Sequence, residues 1–90
     1  MRSCGEFARA YAANPAVAED VYFAWAQGFM SGLNLDAVAN RRPYRVINGN
    51  DMPSQKIEIR SYCDAHPLAT YSQSVFALYS SLPAMRANSN

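Results

Sequence analysis

Ninety residues, half of them hydrophobic, 12% aromatic and only 17% charged, make one small folded domain and exclude a disordered chain. Eight basic against seven acidic residues leave a net charge of +1, so no whole-chain field draws the protein to nucleic acid or to an anionic membrane. The most apolar segment, Ala16 to Leu35, is interrupted by Glu19, Asp20 and Gln27, and a membrane span needs about 20 mostly apolar residues.

At the start, "MRSCGEF" lacks the apolar run of a secretory leader. The chain is therefore expected to be cytosolic, with Met1 as its native start, or a mature exported region from which a leader has been removed. Ser3 and Glu6 have the spacing of a capping box, and Phe7, Ala10 and Tyr11 share a face, which predicts a short helix from about Cys4 to Ala13. Asn14-Pro15 ends it and starts a second helix, from about Pro15 to Leu33, with Asn as cap and Pro at the first position. Its expected core stripe is Val17, Val21, Trp25 or Ala24, Gly28 and Gly32, widened by Tyr22, Phe29 and Leu33. A mid-helix glycine costs about 1 kcal/mol relative to alanine, so the small-residue row Ala24, Gly28, Gly32 is expected to be a groove for a close-packed helix. A homodimer contact through the Gly28/Gly32 face is the alternative use of that row.

From Asn34 to Pro53 the periodicity fails. Asn40, Pro43, the run Asn48-Gly49-Asn50-Asp51 and Pro53 predict a long irregular connection, anchored by Val38, Tyr44, Val46 and Ile47. Tyr44 to Ile47 could be a short extended piece, but no partner strand lies nearby. Ser54 is expected to cap a third helix, Gln55 to about Ala65, with Ile59, Tyr62, Cys63 and His66 on one face. Pro67 disfavours helical geometry at His66. A fourth helix is predicted from about Leu68 to Leu82, with Leu68, Tyr71, Ser72, Val75, Leu78, Tyr79 and Leu82 as its stripe. Pro83 closes it, and residues 83–90 read as a frayed tail. The fold expected is all-α: a single domain, 1–90 with its core over about 4–82, of four helices around a central loop.

Few residues carry chemistry. The cluster Arg41-Arg42-Pro43-Tyr44-Arg45 reads as a solvated loop or, alternatively, as a surface for an anion or a protein partner. Cys4 and Cys63 are the only cysteines, and His66 is the only histidine. A nucleophilic Cys63 would need His66 as base and a third group to orient it, and Asp64 points about 100° away on a helix. Zinc would need more ligands than Cys63-x-x-His66 and Cys4 supply. A Cys4–Cys63 disulfide suits a small core best, and it points to an oxidising compartment. Two unpaired thiols in a cytosolic protein are the other option. His66 then sits at a helix C-terminus, where a protonated imidazole is favoured by the dipole. No metal or cofactor is expected.

Two motifs together carry a resemblance. "GFMSGLN", Gly28 to Asn34, late in a long helix, is followed by "YCDAHPL", Tyr62 to Leu68, which leads into a final amphipathic helix. Over roughly Cys4 to Leu82 this resembles a group of small exported proteobacterial proteins, themselves similar to the Tai/Rap-type immunity proteins of type VI secretion with an HdeA-like helical fold. The resemblance implies a periplasmic, disulfide-bonded protein that binds a protein partner and performs no catalysis. A toxin blocked by an immunity-type inhibitor is the partner it suggests. An HdeA-like acid-stress chaperone is the alternative, and a thiol- or metal-dependent enzyme using Cys63 and His66 is a third.

Overall fold

The computed structural model describes residues 2–86. Four helices are present: α1 (Cys4–Ala13), α2 (Pro15–Ala39), α3 (Met52–Ala65) and α4 (Tyr71–Ser81). Two-residue strands β1 (Tyr44–Arg45) and β2 (Ala84–Met85) pair antiparallel, and a 3-10 turn covers Ile47–Gly49. The all-α class and the four helices agree with the sequence. The start of α1 is set by the predicted capping box, with Glu6 N–H donating to Ser3 Oγ and Ser3 N–H to Glu6 Oε1, both at 3.0 Å. Asn14 Oδ1 accepts from Val17 N–H and caps α2 just before Pro15.

The four helices enclose a core of Phe7, Tyr22, Phe23, Ala26, Met30, Ile59, Val75 and Leu78. Cys4 and Cys63 form a disulfide, with Cα atoms 4.9 Å apart, and so join the first turn of α1 to the last turn of α3. The same corner is tied by backbone: Cys4 N–H donates to Ala69 O and Tyr71 N–H to Arg2 O, each at 2.9 Å. Arg60 on α3 meets both carboxylate oxygens of Glu19 on α2 at 2.8 and 2.9 Å, and its guanidinium lies 4.9 Å from the ring centre of Tyr11 on α1. One partly buried cation thus holds three helices together.

The long central loop is not found. Helix α2 continues from Leu33 to Ala39, which shortens the irregular connection to residues 40–51 and gives it internal order. The helix ends in a Schellman arrangement, with Arg42 N–H on Ala37 O, Arg41 N–H on Val38 O, and Arg41 left-handed at φ 55°. Asn34 does not break the helix, because its amide has tertiary partners. It accepts from Arg45 N–H at 2.9 Å and donates to Arg45 O at 2.8 Å, acting as a side-chain partner for β1. Tyr79 Oη donates to the same Asn34 oxygen at 2.6 Å. The other edge of β1 pairs with Ala84–Met85, taken from the stretch expected to be a tail. Residues 87–90 of that expected tail lie outside the described residues.

Three further boundaries and faces differ. Helix α3 starts at Met52, because Asp51 Oδ1 caps Ser54 N–H at 2.7 Å and Pro53 is tolerated in the first turn. Helix α4 starts at Tyr71, where Thr70 and Gln73 form a second capping box; Leu68 lies in the preceding turn, 97% exposed. On α2 the buried stripe is Ala18, Tyr22, Ala26, Met30 and Ala37, so Val17, Val21, Ala24, Gly28 and Gly32 face outward. Apart from the surrounding backbone of α2 itself, no atom of the described residues lies within 4 Å of where a Cβ would stand at Gly28 or Gly32, so no other described helix occupies the expected groove. The helix is apolar on more than one face, and periodicity then cannot choose between them.

Candidate functional site

The cysteine and histidine that first suggest chemistry sit at the α3–α4 corner. Cys63 Sγ is bonded to Cys4 and carries no thiolate in the oxidised protein. The His66 backbone N–H closes the C-terminus of α3 on Tyr62 O and Cys63 O. Its Nδ1 lies 3.0 Å from Tyr62 O, a contact that needs the proton on Nδ1, and its ring stacks on Tyr62 at 4.2 Å between centres. No group of three or more His, Cys, Asp or Glu among the described residues is placed to hold a metal ion. No helix among them is long and apolar enough to cross a membrane.

The arginine cluster does not converge on one spot. Arg45 Nη1 donates to Ser80 O and Leu82 O at 3.0 Å, satisfying carbonyls at the end of α4. Arg42 is ion-paired with Asp36 on the exposed end of α2. Tyr44 is half-buried in β1 opposite Met85. Arg41 remains as an exposed cation at the helix end. Local structure therefore accounts for Arg42, Tyr44 and Arg45, and leaves Arg41 facing solvent.

A different region gathers groups that local structure does not use. The N-terminal segment lies against the start of α4 through a Ser3–Thr70 bridge and the Tyr71–Arg2 backbone bond. Arg2 is thereby carried to the outer side of α2, where its Nη1 donates to Tyr22 Oη at 3.1 Å. Beneath it is a cleft of about 370 Å³ lined by Arg2, Val21, Tyr22, Trp25 and Tyr71. Tyr22 and Tyr71 meet edge to face at 5.0 Å, and Trp25 tilts against Tyr71 at 5.9 Å. Bonding to Tyr22 raises the basicity of Arg2, and burial pushes the Tyr71 hydroxyl above its ordinary pKa, so it stays protonated.

Trp25 also stacks on Phe29, centres 5.1 Å apart and planes within 10°. This stack links the cleft to a shallower groove of about 410 Å³ lined by Phe29, Tyr62, Ser72, Gln73, Phe76 and Ala77. Val21 is 63% exposed, Phe76 52% and Trp25 41%. The result is one aromatic face across α2 and α4 whose only charged lining group among the described residues is Arg2. The stripe expected for α2 puts Val21 and Trp25 in the core, whereas both are exposed on this face. The available signal was surplus: α2 carries more apolar positions than one buried stripe can use.

Compared with known proteins, the chain matches no protein-family model, no curated protein and no solved structure.

Proposed function

We propose that the chain is a non-catalytic binding domain that recognises a protein partner through the aromatic face of α2 and α4. The observation that carries this reading is the contiguous exposure of Val21, Trp25 and Phe76 beside two concave surfaces. Monomeric proteins seldom leave such apolar area open without a use for it, and aromatic side chains are enriched at the centres of interfaces. The Cys4–Cys63 disulfide is compatible with an oxidising compartment such as the periplasm. The likeness of "GFMSGLN" and "YCDAHPL" to immunity-type proteins makes a co-encoded toxin the first partner to test.

The test is photocrosslinking from an unnatural residue at Val21, Phe76 or Arg41, followed by calorimetry with the recombinant partner identified. Adducts are expected from positions 21 and 76, and Val21→Asp with Phe76→Asp should weaken binding by a factor of ten or more, on the order of a lost interface anchor. Adducts confined to position 41, or affinity unchanged by both aspartates while Arg41→Ala abolishes it, would move the interface to the arginine cluster and refute the assignment.

A further inference from the structure

We propose that the cleft of Arg2, Val21, Tyr22, Trp25 and Tyr71 binds a small hydrophobic carboxylate, an aromatic ring bearing a short acidic arm. The ring would lie against Trp25 and Val21, over a floor made by the two tyrosines, with the carboxylate on Arg2. This inference does not rest on the protein-binding reading, since its ligand is small and is tested free in solution.

Size comes first. A cleft of about 370 Å³ falls within the roughly 300–1,000 Å³ typical of small-ligand sites, and those are mostly apolar with a few placed polar groups. Three of the five lining side chains are aromatic and one is Val21, so the body of the ligand must be apolar. Tyr22 and Tyr71, 7% and 3% exposed, form the floor of the cleft, and Val21 and Trp25 are its open walls, so a flat ring would lie on Trp25 and Val21 with its edge toward the tyrosines.

The charge argument is independent of shape. Among the described residues Arg2 is the only ionisable group lining the cleft whose charge is fixed at neutral pH, and it forms no ion pair with them. The acids whose fields reach this region do not pair with Arg2, and Glu6 acts on it only from beyond ion-pair range. Glu6 accepts the Ser3 amide in the α1 capping box, and Glu19 is held on both oxygens by Arg60. A guanidinium presents five donors in a planar fork, and Tyr22 Oη takes one of them, leaving others free for a carboxylate. The Tyr22 contact also holds the guanidinium in place, which reduces the ordering cost of binding. One fixed cation and no lysine suit a monoanion rather than a polyphosphate.

Trp25 is the single tryptophan and lines the cleft, so its emission, excited selectively, reports occupancy directly. The full chain would be titrated with 3-phenylpropionate, with its neutral amide 3-phenylpropionamide, and with octanoate. Saturable quenching or a wavelength shift is expected with the aryl acid, at a Kd of about a millimolar or tighter for so small a ligand. The amide should bind about tenfold more weakly, the scale of a charge-assisted hydrogen bond. Arg2→Gln should weaken the acid about tenfold while leaving the amide unchanged, and Arg2→Lys should restore part of the loss. A merely structural role for Arg2 would weaken both ligands alike. Circular dichroism of Arg2→Gln should match the parent, because it is the Arg2 backbone that ties to Tyr71. Absence of any saturable change at millimolar ligand, or equal affinity for acid and amide, overturns the proposal. Octanoate binding as tightly as the aryl acid overturns its aromatic half.

Discussion

Reducing the disulfide should remove a large share of the stability of this domain. Cys4 and Cys63 are separated by 59 residues, so the bond closes a loop of about 60 residues in the unfolded chain. The chain-entropy relation gives roughly 14 cal/mol/K for such a loop, or about 4 kcal/mol at 25 °C. Small domains have about 5–15 kcal/mol in total, so a core of this size is left near its limit without the bond. The native corner adds no compensating freedom, because Arg2 and Cys4 remain bonded to Tyr71 and Ala69 through the backbone. The assay is urea unfolding followed by Trp25 emission, with and without a phosphine reductant, and repeated on the Cys4→Ser/Cys63→Ser protein. A loss of about 4 kcal/mol is expected, with a fall in Tm of about 15–30 °C for a chain of this length. The m-value should rise on reduction, because an uncrosslinked unfolded chain exposes more surface. A loss under about 1 kcal/mol with m unchanged would refute the loop-entropy reasoning.

Asn34→Ala deletes a side chain with three hydrogen bonds, to Arg45 N–H, Arg45 O and Tyr79 Oη, and should cost about 2–3 kcal/mol in urea unfolding. Amide exchange should speed selectively in β1 and β2. Gly28→Ala and Gly32→Ala should each stabilise by about 0.5–1 kcal/mol, since both lie inside α2 with open space at the Cβ position; a destabilised variant would mean that something packs on that face. The Ser3 amide holds the Glu6 carboxyl below its ordinary pKa, and the Ser54 amide does the same for Asp51. A lowered folded-state pKa means the unfolded chain binds protons first as pH falls. Their contribution should be complete above about pH 4, the unfolded range, and be lost as pH falls through the lower folded values. Carboxyl NMR titration reads the folded values directly, and Asp51→Ala should flatten the acid limb of the stability curve.

Where a structural decision is local, neighbouring residues announce it. Ser3 with Glu6, and Asn14 with Pro15, mark two helix starts because each cap is satisfied within four residues. Thr70 with Gln73 is the same signal, and it outweighs the apolar pattern that suggested a start at Leu68. The disulfide was legible too, since only one pair of cysteines exists and a small core favours joining them. The cleft was not legible. It needs Arg2 beside Tyr22 and Tyr71, 20 and 69 positions away, and that depends on how the N-terminal segment is tied to α4.

By itself the amino-acid order determined four helices, the caps of the first two at Ser3 and Asn14, the staple between Cys4 and Cys63, and the corner at His66-Pro67. Each of those follows from short-range hydrogen bonding, a restricted backbone or a unique partner. Tertiary structure alone decided which side of α2 turns inward, that Asn34 continues a helix, and that Ala84–Met85 pairs with Tyr44–Arg45. The physical reason is the same in all three. A helix apolar on several faces and a polar side chain able to bond in several ways leave local energetics nearly balanced, and the partner present across the fold tips the balance.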